Sequence, residues 1–283
     1  MGPPSKEESV SILAIIQEAL RIGRGYRSLW LFGFLVGLGS GGGSGGRGEQ
    51  SAAQVAHPDP ELVLTLLPIG IVIVLAFVVL KFVSTGALID GVKRARSNGS
   101  LTLRDGFREG WAHWGVLLRI ALLYLAASAA SVLLLVGVAF LAGQLFGRPA
   151  LIGAAAVCVV VAIPWLVTLY MWQAFAERIA VFENRHALDA IRKARLFLHG
   201  RVQLGLRLLV AGFLGLLFVC LLGLVVIGPL AAVVIGLARV WDGTGAAMLG
   251  VVMLVPAVFV LIAMIGIMSS SVWTIGYLAE VEQ

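Results

Sequence analysis

Residues Leu62–Asp90 read LVLTLLPIGIVIVLAFVVLKFVSTGALID, and this stretch decides the fold. It exceeds the ~20 apolar residues that carry a helix across the hydrocarbon core of a bilayer. Three comparable stretches follow, Trp114–Leu145, Leu151–Phe182 and Leu204–Leu237, and a fifth runs from Ala246 to Tyr277. A soluble domain has no means of hiding so much continuous apolar surface. Composition agrees: 60% of the chain is hydrophobic and 13% charged, against about 45–50% and 25% in soluble domains. The sequence therefore predicts an all-α, polytopic membrane protein. Spans and short connectors use nearly all of the 283 residues, leaving no room among them for a separate catalytic domain.

A shorter apolar segment, Leu29–Leu38 within Tyr26–Ser40, precedes these five. Alone it covers about 15 Å at 1.5 Å per residue; extended back through Tyr26, with Arg24 and Arg27 snorkelling to the interface, it approaches the required length. Charge arbitrates. With six spans, the N-terminus, the connector Val92–His113 and the connector around Arg178–Arg207 share one side and hold four, five and seven Lys/Arg. The other side holds Arg47, Arg148 and Arg239, and only Lys81 and Arg119 lie within spans. The positive-inside rule then predicts six transmembrane helices with both termini cytoplasmic. The opening Lys6-Glu7-Glu8 lacks the pattern of a cleavable signal, so the first span is expected to be retained. The net charge of +6 reads as topology, together with attraction for anionic headgroups; nucleic acid is not an expected partner.

Each cytoplasmic basic segment also carries helical periodicity. Val10, Leu13, Ile16 and Leu20 form one stripe; Leu103, Phe107 and Trp111 form a second; Ala187, Leu188, Ile191, Leu196 and Leu198 interleave with Asp189, Arg192, Lys193 and Arg195 in the third. All three are predicted to be amphipathic interfacial helices on the cytoplasmic leaflet. Lys93, Arg94, Arg96, Arg192, Lys193 and Arg195 are the candidate headgroup contacts. The whole chain reads as a single six-helix domain, 1–283, in which 1–91, 92–183 and 184–283 each contain an interfacial helix, an outgoing span and a return span. The return spans end on comparable runs, Val83–Asp90, Trp172–Ile179 and Ser270–Tyr277. This is either a threefold parallel repeat or the plain alternation of any six-span chain. A flexible Gly/Ser-rich external loop is expected over 40–60.

Chemistry is sparse. Gly42-Gly43-Ser44-Gly45-Gly46 fits G-x-S-x-G in letters, yet a nucleophile elbow needs a strand before it and a helix after it. His57, His113, His186 and His199 are scattered without metal-ligand spacing. Cys158 and Cys220 both fall inside spans and read as small hydrophobes. No metal, cofactor or enzymatic activity is expected. Ionisable groups inside spans are costly and are candidates for function, which singles out Lys81 and, at the cytoplasmic end of span four, Glu177. Their pairing would neutralise both charges and pin spans two and four together. Pro164 and Gly228-Pro229 are expected to kink their spans.

The run Ala174–Leu196, AFAERIAVFENRHALDAIRKARL, and the closing Ser271–Tyr277, SVWTIGY, resemble the six-span membrane domain found ahead of some bacterial glycerophosphodiester phosphodiesterases and in related stand-alone bacterial membrane proteins. The resemblance implies a domain of the bacterial cytoplasmic (inner) membrane. In those fusions the phosphodiesterase chemistry belongs to a separate soluble barrel, which residues 1–283 do not include, so the resemblance gives no expectation of hydrolysis. The leading expectation is a non-catalytic integral membrane protein that binds membrane lipid, anionic lipid in particular, or scaffolds a protein partner through its basic cytoplasmic helices. The alternative is a small transporter or channel using the kinked spans and the Lys81–Glu177 pair.

Overall fold

The computed structural model describes residues 12–25, 28–41, 60–97, 102–238 and 243–281, and every regular element among them is an α-helix. These are α1 Ile12–Gly25, α2 Ser28–Gly41, α3 Pro60–Arg96, α4 Leu103–Phe146, α5 Arg148–Glu183, α6 Ala187–Leu198, α7 Val202–Ala238 and α8 Gly243–Val281. Helices are what a bilayer demands, since only internal hydrogen bonds satisfy the backbone there. Five of them, α3, α4, α5, α7 and α8, are long and apolar enough to cross a membrane. The predicted first span is α2, whose 14 residues give about 21 Å at 1.5 Å per residue. Most of the predicted loop 40–60 lies outside the described residues, as do Lys6, Arg27, Arg47, His57, Arg239 and Trp241.

Helix boundaries follow local chemistry. The Thr102 hydroxyl accepts the Asp105 backbone N–H at 3.3 Å and donates to the Asp105 carboxylate at 2.5 Å, capping α4. Gly147, at φ 83°, makes the turn into α5, and Asn184, left-handed at φ 49°, ends it. The α5 and α7 helices run unbroken through Pro164 and Pro229. The second predicted interfacial helix is, from Leu103 onward, the opening of the 44-residue α4; no break separates its amphipathic turns from the apolar ones.

The chain forms two compact units, residues 1–114 with 210–283 and residues 115–209. In the first, α2 packs chiefly on α8 and also on α3, while α1 packs on α8. Gly33 faces Ala263 and Ile267 whereas Gly37 faces Ile262, so α2 and α8 run antiparallel. The Phe34 and Phe259 rings, 4.3 Å apart, continue that seam. The α1 helix lies at the C-terminal ends of α3 and α8, where Glu18 is 3.7 Å from Arg96 and Gly23 abuts Ile267. Its buried face is Ile15, Ala19 and Ile22, one residue round from the Ile16–Leu20 line read in the sequence. In the second unit α6 packs on α5.

Burial is concentrated at one end of the long helices. On α3, Val83, Ser84 and Ala87–Ile89 are fully buried while every residue from Leu66 to Phe77 is exposed. The buried stretches of α5 and α8 are Ala174–Ala176 with Arg178–Val181 and Ser270–Tyr277. All three coincide with the comparable runs that suggested a repeat. Their Ser, Gly and Ala residues let helices approach closely, which is how helices associate where lipid removes the hydrophobic drive.

Candidate functional site

The six predicted headgroup contacts occupy the last turn of α3 and the second half of α6. Lys93, Arg94 and Arg96 form the last turn of α3. Lys93 is exposed, Arg94 pairs with Asp90 at 2.6 Å, and Arg96 reaches Glu18 at 3.7 Å. Arg192, Lys193 and Arg195 are exposed on α6. Lys193 donates to both Glu183 oxygens at 2.6 and 2.7 Å, and Arg185 donates to the same carboxylate at 2.8 Å. Arg195 lies 4.8 Å from the centre of the Trp172 ring, a cation–π contact.

How these helices pack determines what they present. The α6 helix buries Ala187, Ala190, Ala194 and Leu198, and leaves Leu188 61% and Leu196 77% exposed beside its basic residues. The opening of α4 does likewise. Gly106 abuts the Phe32 ring and Gly110 abuts the Val83 carbonyl, which turns Leu103, Phe107 and Trp111 outward. Phe107 stacks on Trp111 at 6.2 Å, and Trp111 lies 6.1 Å from Trp114. Aromatic clusters of this kind belong at the headgroup level of a bilayer.

The two intramembrane candidates belong to different units. Lys81, on α3 in the first unit, has its Nζ 6.0 Å from the centre of the Phe82 ring, and its backbone carbonyl accepts the Thr85 hydroxyl at 2.9 Å. Glu177, on α5 in the second unit, accepts a 2.9 Å hydrogen bond from Gln173 and lies 3.7 Å from Arg178. Arg178 is buried and donates to the Ala174 carbonyl at 2.5 Å. Gln173, Glu177 and Arg178 thus form one compensated cluster at the end of α5, where an unpaired charge would be costly. Cys158 donates to the Leu135 carbonyl at 3.5 Å and Trp165 to the Ser131 hydroxyl at 2.9 Å, tying α4 to α5.

Two adjoining cavities lie between α4 and α6. The larger, about 630 Å³, includes Arg119, Leu122, Leu123, Leu188, Asp189 and Arg192 in its wall. The smaller, about 300 Å³, shares Leu123, Leu188 and Arg192 and adds Tyr124, Leu169 and Arg195. Sequence reasoning noticed Arg119 only as a charge within a span and missed Tyr124, because a lone tyrosine in an apolar helix carries no periodic or motif signal. Among the described residues no three His, Cys, Asp or Glu side chains converge as a metal site would require. Compared with known proteins, the chain matches no family model, no curated protein and no solved structure.

Proposed function

We propose that this chain is a non-catalytic, six-crossing protein of the bacterial cytoplasmic membrane that gathers anionic lipid at its basic cytoplasmic face. The same face offers a docking surface for a protein partner. The observation that carries the reading is the inversion of packing at the helix ends: glycine and alanine face the protein, while Leu103, Phe107, Trp111, Leu188 and Leu196 face outward beside Arg and Lys. Large apolar groups interleaved with cations suit the headgroup–acyl boundary and are poorly suited to water.

Six crossings are supported by the geometry of the first unit. The α1 helix sits with the C-terminal end of α3, whereas that 37-residue helix opens at Pro60, about 55 Å away at 1.5 Å per residue. The chain between Gly25 and Pro60 has to traverse the same distance, and α2 supplies part of it. The basic ends of α3 and α6 then fall on one side, which the positive-inside rule makes cytoplasmic. The bacterial origin rests on the resemblance carried by Ala174–Leu196, and the three similar buried runs support a parallel threefold repeat.

The test is the lipid retained by the full chain extracted gently from its membrane. Anionic phospholipid should be enriched over the bulk membrane. Replacing Lys93, Arg94, Arg192, Lys193 and Arg195 together by Gln should reduce the enrichment severalfold, since each basic residue near the surface contributes about 1 kcal/mol. Retained lipid matching the bulk composition, alongside solute flux through reconstituted liposomes, would instead favour the transport reading.

A further inference from the structure

The Tyr124 side chain is buried in α4, only 6% exposed, and its hydroxyl has no hydrogen-bond partner. An unpaired buried hydroxyl is destabilising, and in native proteins it calls for an acceptor. Tyr124 lines the smaller cavity together with Arg192 and Arg195 of α6. The adjoining larger cavity brings Arg119 of α4 to the same Arg192. Arg119 interrupts the apolar run Trp114–Leu145 about one and a half turns from its start, a depth at which an arginine side chain reaches the headgroup layer. Among the described residues, neither Arg119 nor Arg192 has an ion-pair or hydrogen-bond partner. Between the cationic positions the walls are Leu122, Leu123, Leu169 and Leu188.

A ligand that satisfies this site must offer anionic acceptor oxygens at one end and an apolar chain at the other. We propose that the paired cavities between α4 and α6 bind one anionic phospholipid. Its phosphate accepts from Tyr124, Arg192 and Arg195, Arg119 adds charge from the α4 side, and an acyl chain lies along Leu122, Leu123 and Leu188. Asp189 is a carboxylate in the wall of the larger cavity; it leaves the cationic excess in place and provides an acceptor for a headgroup hydroxyl. The assignment rests on the reading of the cytoplasmic face as lipid-binding and gives that reading a single address.

The full chain in mild detergent, titrated with short-chain phosphatidylglycerol or phosphatidylcholine of equal acyl length and followed by native mass spectrometry, tests it. One phosphatidylglycerol should bind per chain in preference to phosphatidylcholine. Tyr124→Phe should weaken phosphatidylglycerol binding roughly tenfold, the loss expected for a hydrogen bond to a charged group, and Arg192→Gln at least as much. Lipid-free Tyr124→Phe should melt no lower than the parent, because the hydroxyl bonds nothing within the protein; a lower melting temperature would mark a structural role and overturn the assignment. Inorganic phosphate and glycerol phosphate should not compete, and competition by either would assign the cavities to a soluble phosphate compound instead. If Lys93→Gln with Arg94→Gln abolishes the preference while Tyr124→Phe and Arg192→Gln retain it, the site is wrong and the general lipid reading survives. A parent protein with no preference for phosphatidylglycerol overturns both.

Discussion

At the residue scale, glycine shows how much of the packing a sequence leaves hidden. The spacing Gly33-x-x-x-Gly37 is unremarkable in a chain with 35 glycines, yet both residues sit against α8 backbone, and a Cβ on Gly266 would strike the Gly33 carbonyl. Gly137, by contrast, has nothing within 4 Å of its absent side chain. The two positions should behave oppositely in thermal unfolding of the purified protein. Gly266→Val should cost about 1–3 kcal/mol or more, as overpacked sites do. Gly137→Ala should be neutral or mildly stabilising, because glycine costs up to about 1 kcal/mol relative to alanine within a helix. Equal effects at both sites would mean that the α2–α8 seam is loose. Lys81 and Glu177 were legible as costly intramembrane groups. The Gln173–Glu177–Arg178 cluster was only half legible, since i,i+4 spacing permits the Gln173 contact without requiring it.

At the scale of elements, the long helices were readable because apolar length alone forces them. The faces they turn inward were not. In water the apolar stripe of an amphipathic helix marks its packing side, and the leucines of α6 would be taken for that side. Here α6 packs on α5 and buries its alanines with Leu198, while Leu188 and Leu196 point away. Ala194→Leu should therefore destabilise α6 by about 1–3 kcal/mol and speed proteolysis after Lys193 and Arg195. Leu196→Ala, at a 77% exposed site, should change folding stability by less than about 0.5 kcal/mol. A protease time course on the two variants beside the parent decides the matter, and a larger effect from Leu196→Ala would reverse the orientation assigned to α6. Continuity between the opening of α4 and its apolar part was equally hidden: Thr102 caps only the start, and nothing between Leu103 and Phe146 forces a break.

For the whole molecule, the decisive measurement concerns sidedness. After Cys158 and Cys220 are replaced by Ser, a membrane-impermeant maleimide applied to intact cells should label a cysteine at Ser44 or Gly147 and spare one at Ser97. The reverse pattern overturns the orientation. By itself the sequence determined the all-α class, the five long apolar helices and the clustering of Lys and Arg at one set of helix ends. Bilayer thickness and backbone hydrogen bonding leave a chain of this composition no other solution. Tertiary structure decided which residues touch: the glycine seam of α2 on α8, the alanine face of α6, and the meeting of Tyr124, Arg192 and Arg195 around one cavity. The physical reason is that lipid tails are as apolar as leucine, so hydrophobicity does not distinguish the inside of such a protein from its outside. Shape and the pairing of a few polar groups make that distinction, and both exist only once the helices have met.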